Sequence, residues 1–446
     1  MLTVLGLGMI LCFMYLIMSR KMTALAALTL VPILFALIAY GLSFYIDGLG
    51  HIELKGLGEM MLDGVKKLAP TGVMLLFAIL YFAIMIDTGL FDPSVKFILK
   101  LVKGDPLKVV IGTITLTLIV SLDGDGSTTY MICVAAMLPL YKRLGMSPLI
   151  MACLMMLASG IMNLTPWGGP TARAASALHV EASEIFVPMV LPMIIAIIWL
   201  YFVGFMYGRA ERKRLGIIEL DVSHGDNIQI STNPEANRGH LRWFNALLTV
   251  VLMICLVKGV LPLPILFMIA LCIALVVNYK DVDMQKDLIA HHAGSALNVV
   301  GIIFAAGIFT GILAGTGMVD AMSKELVAII PESMGPFLAP ITAVISMPLT
   351  FFMSNDAFYY GVLPILSEAA GHYGITPVEM ARASIVGQPV HLLSPLVPST
   401  YLLCGLAGIE LGQHQKFTIK WAILTCLVMG AAALLLGVFP LYSTLH

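Results

Sequence analysis

Residues 121–130 read Ser121-Leu122-Asp123-Gly124-Asp125-Gly126-Ser127-Thr128-Thr129-Tyr130, a polar run inside a strongly apolar part of the chain. The apolar runs on either side, 109–122 and 130–140, are each shorter than the ~20 residues that a helix needs to cross a bilayer. A re-entrant hairpin that enters and leaves on the same side fits these lengths, with a tight loop outside the membrane as the alternative. Because polar backbone at membrane depth is tolerated only inside protein or beside water, the hairpin tip is expected to line a site.

The composition is that of a polytopic helical membrane protein. Hydrophobic residues make up 59% of the 446 residues and charged residues 11%, against ~25% charged residues in ordinary soluble domains. The seven cysteines lie in apolar segments without a C-x-x-C pair, so neither a disulfide framework nor a zinc site is expected. The absence of H-E-x-x-H and G-x-S-x-G motifs argues against an enzyme. The predicted fold class is an all-α polytopic membrane protein.

The apolar segments that are candidate membrane spans, two of them broken by proline and glycine, lie at 2–18, 22–44, 70–86, 149–178 (broken), 185–207, 243–257, 262–277, 296–315, 380–406 (broken) and 417–435. Residues 208–242 are polar and read as a flexible linker. The linker divides the chain into residues 1–207 and residues 243–446.

Proline and glycine positions repeat between these two parts. Thr88-Gly89-Leu90-Phe91-Asp92 matches Thr316-Gly317-Met318-Val319-Asp320, and Pro148 and Pro166 match Pro377 and Pro395. The register places a second hairpin at about 337–366, matching the first at about 109–140, with a tip at Ser354-Asn355-Asp356. Each half then has about five crossings and one hairpin. An odd number of crossings inverts the second half, so two inverted repeats are predicted, as in many secondary transporters.

The flanking charges indicate an orientation. If the N-terminus lies outside, most of the Lys and Arg residues that flank the spans fall on the cytoplasmic side, including those of the linker. Cytoplasmic loops carry such an excess of positive residues. The linker is therefore predicted to be cytoplasmic, with the first hairpin entering from the cytoplasm and the second from outside.

Both broken spans carry helix-breaking residues at matched positions. The first reads Asn163-Leu164-Thr165-Pro166-Trp167-Gly168-Gly169-Pro170-Thr171, and the second reads Gly387-Gln388-Pro389-Val390-His391-Leu392-Leu393-Ser394-Pro395. Interrupted helices in corresponding places point to a transporter site near the midplane, where freed carbonyls and helix ends hold ions and substrate. A packed proline kink is the alternative for each break.

The hairpin tips are acidic, with Asp123, Asp125 and Asp356 and no Lys or Arg. Charged groups at membrane depth are costly and are usually functional. Carboxylates are hard oxygen ligands suited to magnesium or calcium, and one of two neighbouring carboxylates can carry a proton. The three aspartates are therefore candidate metal ligands and proton-coupling residues. His391 joins them as a coupling residue, with neutral packing as its alternative.

Other residues near the tips and breaks allow two interpretations. Asp87, at a helix end, either has a capping or packing role or takes part in coupling. Arg173 either meets a substrate carboxylate or snorkels outward. Trp167, Tyr359 and Tyr360 either wall the site or form an aromatic belt. The pair His291-His292 is expected to lie at the membrane interface.

At these residues the sequence resembles the bacterial citrate–divalent metal–proton symporter family (CitMHS), within the ion transporter superfamily. The resemblance is carried by residues 121–129, residues 163–171 and Ser354-Asn355-Asp356, and the layout matches along essentially the whole chain. It implies proton-driven uptake of citrate complexed to a magnesium- or calcium-type ion, with the metal as cargo and no permanently bound cofactor. It also implies a homodimer in the bacterial plasma (inner) membrane, in which a transport domain moves like an elevator against a scaffold.

In this interpretation, polar groups at the tips and breaks hydrogen-bond the citrate carboxylates and hydroxyl, and these groups belong to Ser127, Thr128, Asn163, Thr165, Gly168, Asn355, Gln388 and Ser394. A cation/proton antiporter of the same superfamily is the alternative function, because acidic tips suit it equally well. No nucleic-acid partner is expected.

Overall fold

The computed structural model of the protein describes residues 1–19, 21–43, 54–102, 104–124, 126–217, 234–329, 331 and 333–443. Regular secondary structure within these residues is helical, without a β-strand. Eight of the described helices are long and apolar enough to cross a membrane. The predicted class, an all-α polytopic membrane protein, is thereby confirmed.

The helices up to residue 217 are, in chain order, α1 (Leu2–Met18), α2 (Ala24–Ser43), α3 (Leu54–Asp87), α4 (Asp92–Val102), α5 (Pro106–Val120), α6 (Gly126–Leu144), α7 (Pro148–Met162), α8 (Gly169–Leu178) and α9 (Ala182–Leu215). The helices from residue 234 onward are α10 (Arg242–Val257), α11 (Leu263–Asn278), α12 (Val282–Gly315), α13 (Met318–Ile329), α14 (Leu338–Phe352), α15 (Leu363–Gly371), α16 (Pro377–Ser384), α17 (Gln388–His391), α18 (Pro398–Ala407) and α19 (Leu411–Leu435). Every candidate span of the sequence overlaps one of these helices or an interrupted set of them.

Two helices of the first half are longer than their apolar segments predict. Helix α3 begins at Leu54 and runs through Pro70, which was expected to start the span. A proline is tolerated inside a membrane helix where packing against neighbours compensates for the lost hydrogen bond, and α3 packs along α12 and α11. Helix α9 continues to Leu215, into the stretch predicted as linker. Residues 218–233 of that linker lie outside the described residues.

The short helices α4 and α13 have no counterpart among the candidate spans of the sequence. In α4, Val95 and Ile98 are buried whereas Phe97 and Leu101 are exposed. A short helix that carries apolar side chains on its outer face beside charged residues is typical of a helix lying at the membrane interface. Helix α4 was not predicted because its 11 residues are too few for a membrane span, although its composition is amphipathic.

Both polar tips interrupt the helices, as predicted. Helices α5 and α6 meet at a 3-10 turn, Ser121–Asp123, and Gly124 then has a left-handed φ of 77°. Helices α14 and α15 meet at a π-helical turn, Ala357–Val362. By length alone, the segment Pro106–Asp123 could also cross a membrane. The re-entrant course of the two hairpins therefore stays a prediction.

Helices α3 and α12 form a close crossing. A Cβ atom on Gly64 would lie 1.9 Å from the carbonyl oxygen of Gly307, and one on Gly311 would lie 2.3 Å from that of Met60. Glycines let two membrane helices approach to backbone contact. Helices α2 and α11 pack on this pair, whereas α7 packs among α5, α6, α9, α17, α18 and α19. The first tip and both breaks adjoin this second group of helices, whereas the turn at the second tip packs on α1, α8 and α12.

Candidate functional site

The first break lies between α7 and α8, at residues 163–168. Asn163 follows the last residue of α7, and Gly168 precedes the first residue of α8. The turn is so tight that a Cβ atom on Gly168 would lie 2.0 Å from the carbonyl oxygen of Asn163. The Thr171 hydroxyl donates back to the Leu164 carbonyl oxygen at 2.9 Å, which satisfies one carbonyl freed by the break. The break is therefore a specific turn rather than a simple kink.

The first hairpin tip packs on this break through Trp167. The indole Nε1 donates to the carbonyl oxygen of Leu122 at 2.9 Å. A Cβ atom on Gly124 would lie 2.9 Å from Trp167 Cδ1, so the tip can approach only because residue 124 is glycine. The indole also contacts the rings of Phe82 on α3 and Phe267 on α11. Trp167 thus joins the tip, the break and the group of helices around α3.

Polar side chains lie at the first tip and on the helices next to it. Asp123 is buried, and Thr129 Oγ1 donates to its carboxylate at 3.4 Å. The hydroxyls of Ser121 on the tip and Ser159 on α7 lie 3.1 Å apart. The first tip therefore holds a carboxylate bonded by one hydroxyl and a separate pair of serine hydroxyls, and such oxygen atoms suit a hard cation or a proton.

The second break lies between α17 and α18, at residues 392–397. Ser394 Oγ donates to the carbonyl oxygen of Phe351 at 2.6 Å and accepts from the backbone N–H of Leu396 at 3.1 Å. The Thr400 hydroxyl donates back to the carbonyl oxygen of Leu392, as the third residue of α8 does at the first break. The two breaks are therefore closed by the same type of contact.

The second hairpin tip packs on the second break through an amide pair. The side chains of Asn355 and Gln388 donate to each other at 3.3 and 3.2 Å. Gln388 Nε2 also donates to the Tyr359 hydroxyl at 3.0 Å. His391 is buried, and its Nδ1 lies 2.6 Å from the carbonyl oxygen of Thr350. Because a carbonyl oxygen only accepts, Nδ1 carries a proton there.

The second tip also contacts the broken span of the first half. Arg173 Nε on α8 lies 2.6 Å from Asp356 Oδ1, and both side chains are partly exposed. One turn along α8, Ser176 Oγ lies 3.0 Å from the Tyr360 hydroxyl. An ion pair and a hydroxyl pair thus join α8 to a tip 183 residues further along the chain.

The first tip makes the corresponding approach to the second half. A Cβ atom on Gly126 would lie 3.4 Å from Ser399 Oγ on α18. Between the breaks, α7 and α17 touch at matched positions, where a Cβ atom on Gly160 would lie 2.9 Å from Pro389 Cα. Each tip therefore lies against both broken spans, and the polar residues of the two halves converge on one region.

The structure places most of the predicted site residues at these tips and breaks, namely Asp123, Ser127, Thr128, Asn163, Thr165, Gly168, Asn355, Asp356, Gln388, His391 and Ser394. Asp125 lies outside the described residues. The Thr165 hydroxyl is buried without a hydrogen-bond partner in the described part of the chain. No group of three or more His, Cys, Asp or Glu side chains that could hold a metal occurs among the described residues. Substrate and metal binding by these residues stay predictions.

The structure decides between the alternatives for the aromatic residues, and for Arg173 it argues against the snorkelling alternative. Trp167, Tyr359 and Tyr360 are buried among the tips and breaks, so they wall this region and do not form a belt. Arg173 neither snorkels outward nor stands free, because it pairs with Asp356. The sequence signal for this pair was weak, since a lone arginine in one half and an aspartate in the other share no local pattern.

A second buried pair was also missed. His292 Nε2 lies 2.6 Å from Asp87 Oδ2, and Asp87 is fully buried at the end of α3. His292 thus contacts the last residue of α3, and the expectation that the histidine pair lies at the membrane interface stays a prediction. Helix α12 starts at Val282 rather than residue 296, so His292 lies within this helix and beside the end of α3.

A cavity of about 200 Å³ opens at the end of α8 that lies away from the break. Lys67 on α3 and His179 after α8 line it, together with Glu181 and Glu184 at the start of α9. His179 has a left-handed φ of 54°, a conformation that favours glycine. The cavity places charged side chains between α3 and the helix that carries Arg173.

Comparisons with known proteins identify the family. Residues 8–387 match the CitMHS family model, described as "Citrate transporter". The chain is 59% identical to a Bacillus subtilis citrate transporter over 98% of this chain and 99% of that protein. It is 53% identical, with the same coverage, to the B. subtilis Mg²⁺/citrate complex secondary transporter. The solved structure of Neisseria gonorrhoeae MtrF shares the fold, with a TM-score of 0.63 at 14% identity over 93% of this chain and 96% of that one.

These relatives are transporters, which confirms the prediction that the protein is a membrane transporter and not an enzyme. They also favour a citrate transporter over the alternative of a cation/proton antiporter. The chain belongs to the CitMHS family of citrate transporters.

Proposed function

We propose that the protein takes up citrate as a complex with a divalent metal ion, by proton symport across the bacterial plasma membrane. The observation that carries the proposal is the convergence of two acidic hairpin tips on two broken spans, with a buried Asp123 in one tip and a partly exposed Asp356 in the other. The Mg²⁺/citrate complex transporter of B. subtilis, which aligns along nearly the whole chain, supports the metal complex as substrate.

The charges of the site favour a complex over free citrate. A citrate ion carries several carboxylates, and moving them out of water next to aspartates costs repulsion as well as desolvation. A divalent metal neutralises much of this charge before the substrate leaves water. Asp123 and Asp356, with Asp125, can then complete the metal's oxygen shell or take up the coupled proton. The metal is cargo that arrives and leaves with citrate.

The neutral polar groups are suited to hold the organic part. Thr165 is the strongest candidate, because its buried hydroxyl has no hydrogen-bond partner among the described residues. A buried hydroxyl without a partner is costly unless a ligand or water supplies one. Asn163 presents an amide in the same region. The amides of Asn355 and Gln388 pair with each other, and the hydroxyl of Ser394 is engaged by backbone groups, so a ligand would have to replace these bonds.

The helix pattern supports alternating access by two inverted repeats. Helices at matched positions of the two halves have equal lengths: α3 and α12 have 34 residues each, and α8 and α18 have 10 each. Both of the shorter helices end in left-handed residues, His179 and Gly408. A repeat of this kind, with the site between broken helices, is the usual architecture of secondary transporters. In our proposal, the helices around α7 move against those around α3 within a homodimer, with the N-terminus outside and the linker in the cytoplasm.

The proposal is tested by citrate transport in proteoliposomes with Asp123→Asn, Asp125→Asn and Asp356→Asn, each assayed alone at matched protein density. Each variant should lower metal–citrate uptake by at least about tenfold, because each removes a charged oxygen ligand or a proton carrier. Asp63→Asn is the matched control, since Asp63 is exposed and forms an exposed ion pair with Lys66. Wild-type uptake by all three site variants would contradict the proposal.

A further inference from the structure

We infer that Arg173 is a citrate-binding residue, and that Asp356 is a resident counter-ion which Arg173 exchanges for a citrate carboxylate when the metal complex binds. The inference rests on the proposed function, because it assigns a role within metal–citrate binding. It adds Arg173 to the citrate-binding residues, which the acidic tips alone did not predict. Asp356 then pairs with Arg173 in the empty protein and with the metal ion when the complex is bound.

The contact between the two side chains leaves donors of the guanidinium available. Arg173 binds Asp356 through Nε alone, at 2.6 Å, and binds the Gly169 carbonyl oxygen through Nη1 at 3.1 Å. Nη2 makes no hydrogen bond to any residue that the structure describes. Arginine binds a carboxylate best with two parallel N–H donors. A ligand carboxylate that takes both Nε and Nη2 would therefore gain a bond that Asp356 does not make.

The pair is also within reach of a ligand. The side chains of Arg173 and Asp356 are 19% and 14% exposed, unlike the fully buried tyrosines beside them. Tyr360 is held by Ser176 on α8, and Tyr359 is held by Gln388. Asp356 also precedes the π-helical turn Ala357–Val362, a type of turn that is frequent at functional sites. The surroundings are therefore fixed while the ion pair itself stays accessible.

Charge balance explains why the exchange would select the complex. An unpaired charge at membrane depth is costly, and removing one member of an ion pair strands the other. Metal-free citrate can occupy Arg173 but leaves Asp356 without a cation. A metal ion alone can occupy Asp356 but leaves Arg173 without an anion. The metal–citrate complex supplies both partners at once, so that no charge is stranded before or after binding.

The exchange belongs to one half of the site. Arg173 is the fifth residue of α8, and the fifth residue of α18 is Leu402. The first hairpin tip therefore meets a helix without an arginine at this position. One guanidinium matches one carboxylate, which leaves the remaining carboxylates of citrate to the metal and to the neutral polar groups.

The test is ligand binding to purified protein in detergent, measured calorimetrically with Mn²⁺ alone, citrate alone, and both together. Wild-type protein should bind the complex at least about tenfold more tightly than either component. Arg173→Gln should bind Mn²⁺ alone more tightly than wild type does and should lose affinity for the complex. Asp356→Asn should bind metal-free citrate at least about tenfold more tightly than wild type does. The double variant should show neither gain.

Further variants keep the test decisive. Lys66→Gln, which removes one member of an exposed ion pair, should bind like wild type. If Arg173→Gln does not fold, Arg173→Lys decides, because lysine keeps the charge but lacks the paired donors. It should bind the complex at least about tenfold more weakly. Metal-dependent binding in wild type with unchanged binding in Arg173→Lys and Asp356→Asn would overturn the exchange alone. Metal-independent citrate binding in wild type would overturn the exchange together with the proposed function.

Discussion

Replacing Gly168 by alanine adds one methyl group inside the first break. The added Cβ would lie 2.0 Å from the carbonyl oxygen of Asn163, 2.7 Å from its carbonyl carbon and 3.0 Å from the carbonyl oxygen of Thr165. Ordinary contact begins at 3.4 Å, so the Asn163 carbonyl oxygen would have to move by the difference between 3.4 and 2.0 Å. All three atoms are backbone, and a flexible side chain cannot absorb the shift.

Two opposing effects decide whether Gly168→Ala stabilises or destabilises the protein. Gly168 has φ −65° and ψ 144°, which alanine adopts without strain. At such a position, Gly→Ala normally stabilises a protein by about 0.4–1 kcal/mol through the unfolded chain. Overpacking a tight site costs about 1–3 kcal/mol, and rigid backbone neighbours favour the upper end. Gly168→Ala should therefore destabilise the protein by about 2 kcal/mol and displace Asn163 in the candidate site.

The assay compares the apparent melting temperature and metal–citrate uptake of Gly168→Ala with those of Gly405→Ala. Gly405 lies inside α18, the matching helix of the second half, and a Cβ atom there would meet no atom of the described residues within 4 Å. Its replacement should be neutral or stabilising, because glycine is unfavourable inside a helix. If Gly168→Ala melts and transports like wild type, the tight turn at the first break is not as the structure shows it.

Three further predictions follow from buried contacts. Thr165→Val should leave the melting temperature unchanged or raised while lowering citrate uptake, because the hydroxyl has no hydrogen-bond partner among the described residues to lose. Ser394→Ala should instead lower stability by about 1–3 kcal/mol, because it removes two hydrogen bonds. Reversed results would refute this division of roles. His292→Ala should destabilise the protein by about 1–3 kcal/mol, because it removes a short hydrogen bond to the fully buried Asp87. Thermal unfolding of His292→Ala and of the double variant with Asp87→Asn, which should recover part of the loss, checks this. Gly64→Val should prevent the α3–α12 crossing, since even a Cβ would overlap a backbone carbonyl; folded, monodisperse protein at wild-type yield on size-exclusion chromatography would contradict this packing.

The breaks and the tips were predictable from the sequence because their signals are local. Pro166, Gly168 and Pro170 cannot continue a helix. In the structure, α7 ends before Pro166, and α8 begins at Gly169 with Pro170 in its first turn. The polar run at 121–130 likewise interrupts the helices where it was expected to. Conversely, Pro70 misled the prediction of α3, because packing against α12 overrides a single proline.

The partners of the charged residues were not predictable, because they depend on contacts between distant parts of the chain. Arg173 and Asp356 are 183 residues apart, and Asp87 and His292 are 205 residues apart. The apolar pattern around each of these residues indicates a packed helix, but it does not identify the helix that packs against it. The acidic character of the tips was read correctly, yet one of the acids is already neutralised by an arginine in the other half. Local sequence patterns thus located the candidate site, whereas its electrostatics required the tertiary structure.

The most direct test of metal–citrate symport is uptake of radiolabelled citrate into proteoliposomes under an imposed pH gradient, with and without Mg²⁺ or Ca²⁺. Symport of the complex predicts that citrate accumulates only when a divalent metal is present, and that collapsing the pH gradient with a protonophore abolishes the accumulation. Citrate uptake at an equal rate without metal, or uptake that the protonophore leaves unchanged, would contradict it.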